Sequence, residues 1–313
     1  MVEYTYQTTR RKEKNLLKLK KPLTAFILGI AAFLSVARVP ASAINVSIKP
    51  RELTYFSSVN DKRTWVHPSV TLYLGEERLE ESAYLINDTT YVPLRAAVTL
   101  AGAVVGYESA TRTATVTMAG LDMSVSDGSY IVHANGRPIL SKTPSIILSD
   151  GRMYIPVRSL AKALSLEVYW LPPRSVKLSG TPTPLTSWES YYASDDLYWL
   201  SRIISAESQG EPLLGQIAVG NVVLNRMRHA DYPNTVWGVI FDTKHGVQFS
   251  PIINGSVYKT PTYSSVIAAK ICLEGISVSP DALFFMEPSK STSSWIYNNR
   301  PYAFTIGNHY FFY

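Results

Sequence analysis

Two hydrophobic periods run along this chain, and one replaces the other near residue 180. Thr113-Ala114-Thr115-Val116-Thr117-Met118 alternates polar and apolar, the pattern of a half-buried strand. Beyond residue 190 the spacing becomes helical. Leu197, Leu200, Ile203 and Ile204 share one helix face, with Ser194 as N-cap and Asp195 and Asp196 in the first turn. A Gly/Pro-broken turn follows, and Pro212 opens a second helix with Leu213, Ile217, Gly220 and Leu224 along one face. Gly220 permits close approach of another helix. His229 to Phe249 is loop-rich, and the aromatic stretches after Ala282, Trp295-Ile296-Tyr297 among them, read as strands. The pattern predicts an α+β chain of two domains: a β/α first half and a mainly helical second half.

The first half repeats itself. Tyr91-Val92-Pro93-Leu94-Arg95 matches Tyr154-Ile155-Pro156-Val157-Arg158 at an offset of 63, and Tyr107 matches Trp170 at the same offset. Each unit reads as strand, tight turn, strand, Pro-started helix, strand, turn, strand. The repeats occupy residues 66–180. The Thr/Pro stretch at 181–190 reads as an extended, semi-rigid linker, sensitive to proteases, with residues 191–313 folding alone.

Seven Lys/Arg residues between Arg10 and Lys21 precede an apolar run from Leu23 to Val36 and the small-residue ending Ala41-Ser42-Ala43. This is the pattern of a secretory signal over residues 1–43, with an N-terminal extension at 44–65. The run is short for a membrane span, yet Arg38 and the long basic head leave an uncleaved membrane anchor as the alternative. The chain is therefore expected to be exported, either secreted or held at the membrane by that segment. Residues 1–43 hold eight basic and two acidic residues, the whole net charge of +6, so the remainder is neutral. That excludes the basic stripe of a nucleic-acid binder. Cys272 is the only cysteine and sits in the apolar run VIAAKICL, where a packed thiol is expected. The histidines are scattered without metal-ligand spacing, so the sequence calls for no metal and no cofactor.

Candidate chemistry gathers in the second half. Glu207 ends one helical pattern just before another begins, where burial can raise a carboxyl into the range of a proton donor. The plainer alternative is that it only favours the nearby helix start. Glu211, between Gly210 and Pro212, reads as a first-turn acid of the second helix. Gln248, Phe249 and Ser250 are candidate substrate-binding residues in one loop; the polar pair could hold ligand amides or close that loop. Asn225 could reach a cleft or cap its own helix. Trp295 and Tyr297 could stack on a ligand or fill a core. His309 could sit in the core or serve the site.

Residues 197–313 resemble the spore cortex-lytic cell wall hydrolase family. The resemblance rests on A-E-S-Q-G-E-P at 206–212, G-Q-I-A-V-G-N-V-V-L-N-R at 215–226, Y-P-N-T-V-W-G-V-I at 232–240, Q-F-S-P at 248–251 and I-G-N-H-Y-F at 306–311. It implies a lysozyme-like fold, Glu207 as the acid, and cleavage of peptidoglycan glycan strands, usually by lytic transglycosylation. A hydrolytic muramidase and a non-catalytic wall-binding protein are the alternatives. The doubled Y-[VI]-P-[LV]-R block resembles the copper amine oxidase N-terminal-like domain, a stalk without the oxidase's copper ligands. For these repeats two readings stand: adhesion to a wall or protein ligand, and a spacer.

Overall fold

A computed structural model describes residues 67–313, less His245, Thr292 and Ser293. The expected leader at 1–43 and the extension at 44–65 lie outside the described residues. All described residues belong to one compact unit.

The N-terminal lobe opens with β1 (Ser69–Leu74) and β2 (Glu77–Arg78). The first repeat follows as β3 (Ala83–Ile86), β4 (Thr89–Pro93), α1 (Leu94–Leu100), β5 (Val104–Glu108) and β6 (Thr113–Met118). Then come β7 (Leu121–Ser126), β8 (Ile131–Ala134) and β9 (Arg137–Leu140). The second repeat is β10 (Ile146–Ile147), β11 (Met153–Pro156), α2 (Val157–Ala163), β12 (Glu167–Leu171) and β13 (Ser175–Ser179). The predicted element order of both units is observed.

The repeat also dictates the register. Strands β4 and β11 pair antiparallel with Tyr91 opposite Pro156, Val92 opposite Ile155 and Pro93 opposite Tyr154. Equivalent residues thus exchange places across a local pseudo-dyad. Each proline ends its strand and caps the following helix, where a missing N–H costs nothing. One sheet runs β10-β11-β4-β3-β1-β13-β12, with β2 on β1; a second runs β5-β6-β7-β8-β9. Val92, Ile155, Leu72, Val116 and Leu160, all fully buried, belong to the core of this lobe.

The C-terminal lobe starts with α3 (Trp188–Tyr191), α4 (Ser194–Ser208), α5 (Leu213–Arg228), α6 (Val236–Ile240) and α7 (Tyr263–Leu273). It ends with β14 (Phe284–Met286), α8 (Trp295–Asn299), β15 (Tyr302–Ile306) and β16 (His309–Phe312), whose strands pair in the order β14-β16-β15. Helices α4, α5 and α7 meet at Gly220, where a Cβ would lie 2.7 Å from both Cys272 Sγ and Ile204 Cδ1. The close approach expected of Gly220 is present, and Cys272 packs in this core as expected.

Three local expectations are corrected. Ala193, not Ser194, caps α4, without a side-chain bond. Pro212 is the N-cap of α5 and not its first residue; shifts of one residue are common at helix ends. Trp295-Ile296-Tyr297 is helical, not a strand: aromatic content favours strands only where a pleated, half-buried surface receives it.

The Thr/Pro stretch is extended but does not behave as a free spacer. Thr183 and Leu185 donate their N–H groups to the carbonyls of Leu164 and Ala163, and Asn135 Nδ2 donates to the Leu185 carbonyl. Ile131 and Leu140 of the first lobe pack against the core of the second. A buried ion-pair cluster joins the lobes. Arg137 donates from Nε and Nη2 to the two oxygens of Glu274 at 2.7 and 2.9 Å. Tyr192 Oη and Lys162 Nζ donate to the same carboxylate at 2.7 and 2.9 Å. Tyr191 lies beneath the Arg137 guanidinium, 3.3 Å from ring centroid to Cζ. Burial opposes the charge on Glu274, yet Arg137, Lys162 and Tyr192 together hold its carboxyl below the usual carboxylate range. Among the described residues no helix is long and apolar enough to cross a membrane.

Candidate active site

Glu207 lies in the last turn of α4, one turn beyond Ile203 and two beyond Leu200, so it continues the buried stripe of that helix. Its carboxyl is half-buried and, among the described residues, makes no hydrogen bond or ion pair. Burial alone pushes it up to about 7 from the usual carboxyl value. A carboxyl so poised exchanges a proton near neutrality, the requirement for an acid that later serves as base.

The backbone around Glu207 is pinned on both sides. Ser205 Oγ accepts from the Thr262 N–H at 3.1 Å, and Ser208 Oγ donates to the Ile204 carbonyl at 2.7 Å. After the turn, buried Gln216 of α5 donates from Nε2 to the Glu211 carbonyl and accepts at Oε1 from Ser265 Oγ. The carboxyl therefore stands on a rigid helix–turn–helix frame, as proton transfer at a fixed atom requires.

Glu211 has a different position from the one expected. It precedes the N-cap of α5, and its carboxylate turns toward the β15–β16 hairpin. Its oxygens accept from the Asn308 backbone N–H and from Asn308 Nδ2, each at 2.9 Å. The hairpin tip has to be glycine here: Gly307 has φ +58°, and a Cβ would collide with Glu211 Oε2. Glu211 thus staples the hairpin to the α4–α5 turn.

His309 of that hairpin is 2% exposed, with Nδ1 3.8 Å from Glu211 Oε1. Burial lowers its pKa, with Glu211 and Glu287 opposing that shift. It is a core histidine beside the staple. Its ring meets Phe285 edge-on at 5.4 Å, and Phe285 lies 6.3 Å from Phe249. Phe249 is buried, so it belongs to the core and not to a sugar-facing surface.

The other candidates sit as follows. Asn225 donates from Nδ2 to the carbonyls of Ser279 and Ala282, clamping that turn. It lies twelve residues along α5 from Leu213, about 18 Å of helix, and so is set apart from the α4–α5 turn. The Gln248 amide bonds to its own loop through the Gly246 carbonyl at 3.0 Å and faces Arg226 Nη1 at 3.5 Å. Ser250 is exposed at the start of a short 3-10 helix. Trp295 and Tyr297 are 52% and 59% exposed, which removes core packing as their role. Tyr297, Arg300, Tyr302 and Tyr310 line a hollow of about 380 Å³ with Thr305 and Phe312.

Sequence reasoning missed Gln216, Asn308 and Arg226. Arg226 is buried and donates from Nε to the Leu283 carbonyl at 2.7 Å, holding the chain before β14. Charged and amide residues inside an otherwise apolar helical run, as in G-Q-I-A-V-G-N-V-V-L-N-R, were the available signal: such groups are buried only with partners. Among the described residues no cluster of three or more His, Cys, Asp or Glu is placed to hold a metal.

Comparison with known proteins finds a match in each lobe. Residues 210–312 match the model of the Cell Wall Hydrolase family, and residues 74–175 match the Copper amine oxidase N-terminal domain. A spore cortex-lytic enzyme of Bacillus cereus is 38% identical over 120 residues, 38% of this chain and 45% of that protein. The spore cortex-lytic enzyme of Bacillus subtilis is 33% identical over 120 residues, again 38% of this chain and 38% of that protein. The chain thus spans less than half the length of these relatives. The solved catalytic domain of the germination-specific lytic transglycosylase SleB from Bacillus anthracis is 37% identical, with a TM-score of 0.36, covering 39% of this chain and 97% of that one. The chain thus carries a region that matches the Copper amine oxidase N-terminal domain, followed by a region that matches the Cell Wall Hydrolase family.

Proposed function

We propose that this protein cleaves the glycan strand of peptidoglycan between N-acetylmuramic acid and N-acetylglucosamine, as a lytic transglycosylase with Glu207 as acid and then base. The observation that carries the reading is the Glu207 carboxyl: half-buried, without a partner among the described residues, and raised to about 7. The similarity to spore cortex-lytic enzymes supports the substrate class.

The chemistry needs one such group. Glu207 donates its proton to the glycosidic oxygen as the bond from that oxygen to muramic C1 breaks, because an alkoxide is a poor leaving group. The muramic 6-hydroxyl then attacks C1 as the ionised Glu207 takes its proton, closing a 1,6-anhydro ring and restoring the acid. No second carboxylate is required. Glu211 and Glu274 are already held in hydrogen-bonded structural roles, which favours the one-acid route over a paired-carboxylate hydrolase. Trp295 and Tyr297 offer exposed ring faces for sugars, and a lysozyme-like fold of the C-terminal lobe is part of this proposal. Export through the leader at 1–43 would bring the enzyme to the wall or spore.

The test compares wild type, Glu207→Gln and Glu211→Gln on purified peptidoglycan, with folding checked by thermal melting. Glu207→Gln is expected to lose roughly 10²–10⁴-fold or more in turnover, and Glu211→Gln far less. Anhydro-muramic termini are expected; reducing termini would mean that water attacks. Near wild-type activity in Glu207→Gln would overturn the assignment.

A further inference from the structure

A broad cleft lies away from Glu207, in the N-terminal lobe. It measures about 1010 Å³ and runs between α1, β5 and the β10–β11 turn. Four arginines line it. Arg112 is bound by Asp127 at 2.6 Å, and Arg152 lies 3.8 Å from Asp150. Arg78 and Arg95 are exposed and, among the described residues, have no hydrogen bond or ion pair. Glu80 and Glu81, likewise unpaired, line the same cleft. Buried Leu79 and Leu94 contribute to its floor, and Tyr107 stands 48% exposed in its wall.

This is a mixed-charge cleft on an apolar base. A guanidinium without a partner is suited to bidentate recognition of a carboxylate. Unpaired glutamates beside it suit an ammonium and disfavour a polyanion. The volume suits a short peptide and exceeds what a single small anion needs. Peptidoglycan has such a segment: its peptide stem bears carboxylates, an amine where the third residue is a diamino acid, and alanine methyls.

We infer that this cleft binds the peptide stem of peptidoglycan, with Arg78 and Arg95 on its carboxylates and Glu80 and Glu81 toward its amine. The inference rests on the peptidoglycan reading of the C-terminal lobe and assigns the N-terminal lobe a ligand. The internal repeat supplies a control. Arg158 and Trp170 occupy the positions of Arg95 and Tyr107 in the second unit, equally exposed, but neither lines the cleft.

The experiment titrates the whole protein by calorimetry with the free tetrapeptide L-Ala-γ-D-Glu-meso-diaminopimelyl-D-Ala, and separately with a glycerol phosphate oligomer. Saturable binding of the tetrapeptide is expected, weakened about tenfold or more in Arg78→Ala/Arg95→Ala and unchanged in Arg158→Ala. All three proteins are expected to cleave peptide-free glycan strands equally. Equal tetrapeptide affinity in the double variant, no saturable binding, or binding of the phosphate oligomer alone overturns the inference. Tetrapeptide binding by a wild-type protein that cleaves no glycan would instead overturn the enzymatic reading and leave the cleft's ligand standing.

Discussion

Two buried regions of this molecule each hold a glutamate, and their surroundings are opposite. At the end of α4, Glu207 has burial and no partner among the described residues, and its carboxyl rises to about 7. At the lobe interface, Glu274 has burial and donors from Arg137, Lys162 and Tyr192, and its carboxyl is held low. The same side chain thus keeps a proton near neutrality in one place and is held as an anion in the other. Partners, not burial, decide which.

The largest expected effect separates the two at the level of chemistry. Glu207→Gln abolishes glycan cleavage, whereas Glu274→Gln reduces it only as far as it loosens the fold. Turnover at matched folded fraction measures this, and equal losses would erase the distinction.

Stability reverses the ranking. Removing one member of a buried ion pair leaves the other charge stranded, at a cost of about 3–5 kcal/mol. Arg137→Ala and Glu274→Ala are therefore expected to lose that much in urea denaturation. Glu211→Gln should lose about 1–3 kcal/mol, because an Asn308 donor goes unmet. A cost below about 1 kcal/mol for both interface variants would show that the lobes do not depend on this cluster.

pH sharpens the contrast, since the two shifts have opposite signs. The stabilising contribution of Glu274 is present above its unfolded pKa of about 4.3 and is lost as pH falls through its lower folded value. Glu207 has a raised folded pKa, so its favourable contribution is present below about 4.3 and lost as pH rises through about 7. Glu207→Gln should therefore gain stability over wild type progressively between those values, on the order of 1–3 kcal/mol at pH 8. Equal pH dependence in the two proteins would contradict the raised carboxyl.

The smallest effect concerns the strap at 181–187. Its backbone bonds to Leu164 and Ala163 predict resistance to limited proteolysis in the wild type. Arg137→Ala should make cleavage there several-fold faster, because opening of the interface exposes the segment. Equally rapid cleavage in both proteins would mean a free linker.

The features legible in the sequence were those written in neighbouring residues. The doubled Tyr-Val/Ile-Pro-Leu/Val-Arg block set out the element order of both β/α units; that the two copies pair with each other, β4 on β11, came only from the structure. The apolar spacing before Glu207 placed it at a helix end. What stayed hidden was partnership across the chain. Asn308 lies 97 residues from Glu211, and Arg137 lies 137 from Glu274; no local pattern encodes such meetings. For that reason Asn225, Phe249 and His309 read as candidates for a cleft, although the fold uses them as a clamp and as core. Trp295 and Tyr297 were the converse case, because exposure of an aromatic is a property of the folded surface and not of its sequence neighbours.

The most direct measurement is a ¹³C-carboxyl titration of Glu207 by NMR alongside the pH profile of kcat/KM on purified glycan strands. The account predicts that Glu207 titrates near 7 and that kcat/KM falls tenfold per pH unit above the same midpoint, as the donor loses its proton. A Glu207 carboxyl that titrates near 4, or activity that holds level to pH 9, would contradict it.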